Sequence, residues 1–97
     1  MILRIPVDPA DMERAANEGD DAFLAIANHA KQNGALHHEF WAGNGEVLAI
    51  DEWESPDHFR EFWDNQGPQI GQLMQSAGAQ QPDEPQFYRR MDLGDSF

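Results

Sequence analysis

Cysteine is absent from the chain, which excludes disulfides, thiolate metal sites and cysteine nucleophiles together. Lysine occurs once, at Lys31, and six basic residues stand against eighteen acidic ones, for a formal net charge of −12. A surface of that sign repels phosphate backbones and anionic lipid headgroups, so neither nucleic acid nor a membrane surface is an expected partner. The acids are spread along the chain instead of gathered in one block, the pattern of a solvated face. No apolar run is long enough to cross a bilayer. Met1-Ile2-Leu3-Arg4 does not read as a secretory segment, and together with the missing cysteine this predicts a cytoplasmic protein. Gly43, Gly45 and Gly67 do not make a phosphate-binding loop, and the four histidines show no ligand spacing, so no metal and no cofactor are expected.

What is present is aromatic weight: three Trp and six Phe in 97 residues. A chain of that length reads as one domain over residues 1–97, with a modest core, because folding at this size hides only roughly 60–70% of the surface exposed when unfolded. Residues 47–63 organise the rest. Val47, Leu48, Ala49 and Ile50 are apolar on both parities, which predicts a strand shielded on both faces. Ser55 then offers a hydroxyl to the free amides of a helix whose first position is Pro56, where a missing N–H costs nothing. Phe59, Phe62 and Trp63 follow at i, i+3, i+4 spacing, so this helix turns its aromatic face back onto the sheet.

Taken in order, residues 2–7 read as a strand with Leu3, Ile5 and Val7 on one face. Asp8-Pro9 repeats the cap-and-proline device, and a helix follows, interrupted near Gly19 and continued from Asp20 to about Asn33. Asn33-Gly34 stops it. Residues 36–42 form the second strand, and Gly43-Asn44-Gly45 turns it into the strand at Val47. A three-residue loop with a bulge shifts the cross-strand partners by one while each strand keeps its own alternation, whereas a two-residue Asn44-Gly45 loop sets position i opposite 89 minus i. That pairing puts Leu36, His38, Phe40, Ala42, Val47, Ala49, Asp51 and Trp53 on one face, and His37, Glu39, Trp41, Leu48, Ile50 and Glu52 on the other. The second long helix breaks at Gly67-Pro68 and resumes to Gly78. Residues 80–85 form a loop, residues 87–91 the last strand, and residues 94–97 a frayed end. The order strand, helix, strand, strand, helix, strand predicts an α+β, ferredoxin-like βαββαβ fold: a four-stranded antiparallel sheet with two helices on one face. Trp41, Leu48 and Ile50 lie on the face the helices leave open, which predicts a homodimer through that sheet face.

The apolar strand ending in Asp51-Glu52-Trp53-Glu54-Ser55, the following Phe59 and Phe62, the segment Gly34-Ala35-Leu36-His37-His38 and the closing Phe87-Tyr88 resemble the antibiotic-biosynthesis-monooxygenase-like proteins of the dimeric α/β-barrel superfamily. The resemblance implies two sheets packed across a twofold axis, with a pocket between helices and sheet in each subunit. It further implies oxidation of quinols or polycyclic phenols without metal or flavin, or haem degradation, or no activity. Many quinol-oxidising members carry a His where this chain has Phe62. The haem-degrading pattern is missing too, since the first strand has no Asn and Gln72 stands where that pattern has its His.

Cofactor-free oxygenation asks for an apolar pocket, a base that helps form an electron-rich anion, and access for dioxygen. On the predicted pairing His38 and Asp51 are cross-strand neighbours on the core face, where a carboxylate fixes the imidazole tautomer. They are the candidate catalytic pair, with Phe40, Trp53, Phe62 and Tyr88 the candidate walls for an aromatic ligand. The same residues also suit a buried, mutually satisfied polar pair in an aromatic core, or a site that binds a small apolar molecule without turning it over. A structural dimer with no ligand is the third reading.

Overall fold

Each turn of the fold is closed by the chemistry of its own residues. In the computed structural model, which describes residues 1–18 and 21–97, Asp8 caps the first helix: its Oδ1 accepts from the Ala10 amide at 3.0 Å, and its carbonyl accepts from Asp11 and Met12. Ser55 Oγ accepts from the His58 amide at 3.2 Å, with Pro56 in the first position of the helix that follows. The elements are β1 (Ile2–Ile5), α1 (Pro9–Glu18), α2 (Ala22–Gln32), β2 (Ala35–Ala42), β3 (Val47–Trp53) and α3 (Pro56–Ser76). The expected interruption at Gly19 lies outside the described residues; the helical stretches on its two sides are α1 and α2.

The sheet is antiparallel, in the order β1-β3-β2. The two-residue turn sets the pairing it predicts: Ala42 faces Val47, Phe40 faces Ala49, His38 faces Asp51 and His37 faces Glu52. A bulge then shifts the ladder, so that Ala35 and not Leu36 is opposite Trp53. Leu36, expected on the core face, is accordingly exposed, while Ala35 packs against the core. This is what one extra residue does to a strand whose side chains alternate.

One apolar cluster holds sheet and helices together. Leu3, Ile5, Val47 and Ala49 face Met12, Ala30, Phe62, Ile70 and Met74 from the helices, and Ile5 is 1% exposed. At roughly 25 cal/mol per Å² of apolar area removed from water, this face supplies the main stabilising term. Among the described residues the helices pack on this face.

Two expectations about architecture are overturned. Among the described residues the fold has three helices and a three-stranded sheet in the order βααββα, not the four-stranded βαββαβ ferredoxin-like arrangement with two helices. The last strand fails for a positional reason. The chain does return along the free edge of β1, with Gln80, Asp83 and Gln86 donating to the carbonyls of Pro6, Arg4 and Ile2. Yet only Ile2 and Gln86 exchange both bonds, at 2.8 and 2.9 Å. Pro82 and Pro85 withhold N–H groups from that edge, and because Gln86 is already opposite Ile2, residues 87–91 run past the paired part of β1. Phe87 packs instead on α3, 5.6 Å from the Phe59 ring, with the Arg60 guanidinium over its face at 5.5 Å.

The second correction concerns α3, which runs unbroken through Gly67-Pro68 for 21 residues. The proline withholds one hydrogen bond, but it sits on an exposed turn where water can serve the freed carbonyl, and Ile70 and Met74 beyond it are buried. Packing of that apolar stripe outweighs the local penalty. Among the described residues no helix is long and apolar enough to cross a membrane.

Candidate functional site

β2 and β3 bring His38 and Asp51 together as the turn requires. His38 Nδ1 lies 2.6 Å from Asp51 Oδ1. A carboxylate can only accept, so Nδ1 carries the hydrogen, and in the neutral ring the lone pair is then on Nε2. The second carboxylate oxygen accepts from the Trp53 indole N–H at 3.2 Å. Both oxygens of Asp51 are thus engaged, one orienting the imidazole and one tied to the aromatic wall. Met1 steadies the same strand from the other side: its amino group donates to the Asp51 carbonyl at 2.7 Å, and the Asp51 amide returns a bond to the Met1 carbonyl.

The pair is less buried than expected. Asp51 is nearly enclosed, at 9% side-chain exposure, but His38 keeps 31%. The reason lies in the strand order, because β2 is an edge strand whereas β3 lies between β1 and β2. His38 therefore stands at the rim of a cavity and not beneath it.

That cavity, of about 70 Å³, lies between the helices and the core face of the sheet. Three of the four expected wall residues line it. Trp53 and Phe62 meet at 5.2 Å between ring centroids, and Phe40 stands edge-on to His38 at 4.7 Å. Tyr88 does not join them; it is 71% exposed and borders a separate crevice with Ser55, Phe87, Arg89 and Arg90. Its displacement follows from the missing fourth strand. Phe23, Phe59, Trp63 and Met1 line it as well; of these, the sequence offers Trp63 alone as a ring that could stack on a planar ligand. Helical spacing marked Phe23, Phe59 and Trp63 as apolar faces; nothing in the sequence marked Met1.

On the open face His37 and Glu52, opposite each other on the predicted pairing, do not meet through their side chains. Their backbones are paired, but His37 Nε2 turns along its own strand to Glu39 at 3.3 Å, and Glu52 faces Arg90 at 4.0 Å. The Trp41 indole, and after it His37, hold the Glu39 carboxyl below the usual carboxylate range. At the start of α3, Ser55 Oγ is 2.6 Å from His58 Nδ1, while His58 Nε2 is 3.2 Å from Glu54. These three lie within five residues and form an elaborated helix cap. Among the described residues no group of three His, Asp or Glu is placed to hold a metal ion.

What the principal site can do follows from its parts. An oriented imidazole with a free Nε2 can take a proton, and apolar aromatic walls favour a planar neutral molecule beside it. Comparison with known proteins adds no relative to this geometry: no family model, no curated protein and no solved structure matches the chain.

Proposed function

We propose that the chain seats a small phenol or quinol between its helices and the core face of its sheet, and that His38 removes the ligand's proton so that dioxygen can oxidise it. The chemistry is of the kind its sequence resemblance to antibiotic-biosynthesis-monooxygenase-like proteins implies, with no metal or flavin. The observation that supports it is the 2.6 Å contact between His38 and Asp51 at the edge of an aromatic cavity. Asp51 holds His38 in the tautomer that accepts at Nε2. The resulting anion gives an electron to dioxygen, the two radicals combine, and the hydroperoxide loses water to leave a carbonyl. One oxygen atom stays with the product, the other leaves as water, and the substrate supplies every electron.

Size limits the substrate. A single water needs at least roughly 10–15 Å³ of such space, so about 70 Å³ accepts one aromatic ring more readily than a fused polycycle. The same observation, with Phe62 where many quinol-oxidising relatives of the resembled family have His, favours one alternative: binding of such a molecule without turnover.

Oxygen uptake with hydroquinone, followed alongside tryptophan fluorescence, tests both readings. Catalysis predicts uptake that His38→Ala abolishes, with a stability loss of only about 1 kcal/mol for one hydrogen bond at a partly exposed site. Binding alone predicts a fluorescence change without uptake. Silence in both signals ends both readings. We further read the open face bearing Leu48 and Ile50 as a homodimer contact, and the absence of cysteine as the mark of a cytoplasmic protein.

A further inference from the structure

A second cavity, of about 270 Å³, opens between α1 and the hairpin end of the sheet. Its floor is Met12 and Val47, both buried, and α1 contributes Pro9, Glu13 and Ala16 to its rim. Phe23 and Phe40 line this cavity and the smaller one at His38 alike. Their rings meet edge-on, with centroids 6.1 Å apart and planes at 84°, and Phe40 is 40% exposed. The two aromatic residues therefore form the partition between a ring-sized space beside the base and a larger apolar space beyond it. An edge contact of two phenyl groups on different elements is weak.

The lining also selects by charge. Glu13 is the one charged residue in the outer cavity and makes no ion pair among the described residues. With a chain charge of −12 behind it, a ligand bearing an acid at that end would meet repulsion, whereas a methylene chain would meet Met12, Val47 and Phe40.

We propose that the ligand is a phenol with an apolar extension and no acid group, its ring beside His38 and its extension passing the Phe23–Phe40 partition into the outer cavity. This rests on the reading of His38 as the seat of the phenol. The outer cavity then sets specificity: chain length governs affinity, and a terminal carboxylate is rejected.

The test uses the full chain with three probes, 4-ethylphenol, 4-hexylphenol and 6-(4-hydroxyphenyl)hexanoic acid, measured by calorimetry and tryptophan fluorescence. Kd should fall two- to fourfold per methylene from ethyl to hexyl, fourfold being what full burial of a methylene gives. The acid should bind at least tenfold more weakly than hexylphenol, and Glu13→Gln should narrow that gap. Ala16→Phe, on the exposed rim of α1, should fill the outer cavity and flatten the chain-length dependence while leaving ethylphenol unchanged. A Kd independent of chain length in the native protein overturns the inference, as does a dependence that Ala16→Phe leaves intact. The two readings separate through His38→Ala. Ethylphenol binding that this variant weakens, without chain-length dependence, keeps the His38 site and removes the outer one. Chain-length dependence that the variant leaves intact, with ethylphenol unaffected, keeps the outer cavity and removes His38 as the seat. If none of the probes binds, both fall.

Discussion

Gly34 carries the sharpest single-residue constraint in the molecule. Its φ of +102° is open to glycine and costly to any residue with a Cβ, and a Cβ placed there would lie 2.7 Å from the His58 ring. The ring cannot easily yield, because Ser55 and Glu54 hold its two nitrogens. Gly34→Ala should therefore cost about 1–3 kcal/mol, the range for a residue held in an unfavourable backbone region, read as a lower urea midpoint at unchanged slope. Combining it with His58→Ala should recover the part due to the clash and leave the part due to φ. Equal costs in both backgrounds would show that the ring gives way. At Glu39 the expectation concerns pH. Its carboxyl is held below the ordinary value of 4.5 by Trp41 and His37, so on acidification the unfolded chain takes up this proton first. The stabilisation is complete above about 4.5 and is lost as pH falls through the lower, folded value. Thermal melts of Glu39→Gln should lose less stability on acidification through that window than the native protein; parallel curves would dismiss the interaction.

At the scale of the element, α3 shows how tertiary packing overrides a local penalty. An interior proline costs about 3 kcal/mol relative to alanine, yet the helix passes through Pro68 because Phe62, Ile70 and Met74, on both sides of it, are buried against the same core. Pro68→Ala should restore an N–H to the helical ladder and stabilise the protein by about 1–2 kcal/mol, after allowing for the extra freedom given to the unfolded chain. Chemical denaturation measures it, and a loss of stability would mean that Pro68 has a packing role. The hairpin teaches the reverse lesson. Its pairing follows from two turn residues and holds as far as His37 and Glu52, where a single bulge re-aims Leu36. Turn chemistry is local and legible; the bulge answers to what lies over the strand.

The whole molecule is one-sided. The described helices pack on one face of the sheet, while the other carries Leu48 and Ile50, both half-buried, and Trp41 at 55% exposure. A second copy covering that face would remove these side chains from water across a twofold axis. Light scattering is expected to give twice the chain mass of 11.0 kDa, and Leu48→Lys should shift the protein toward monomer, since each copy would place a charge in the contact. A native protein that stays at the single-chain mass at micromolar concentration would end this reading.

Local chemistry wrote much of this protein into its sequence. The caps at Asp8 and Ser55, the stop at Gly34, the Asn44-Gly45 turn, and through that turn the contact of His38 with Asp51, each depend on residues close together in the chain or on a ladder that a short turn sets. That Phe40, Trp53 and Phe62 line one cavity was legible for the same reason, since strand alternation and helical spacing put them on one face. What only the tertiary structure decided depends on which surfaces meet. Tyr88 left the site because residues 87–91 found no length of β1 to pair with, and the expected four-stranded sheet stopped at three. His38 came to the rim because its strand is the outermost. Pro68 stayed helical because the stripe beyond it had a core to join. Edge position, strand length available for pairing and burial are properties of the assembled sheet and helices, and no window of sequence contains them.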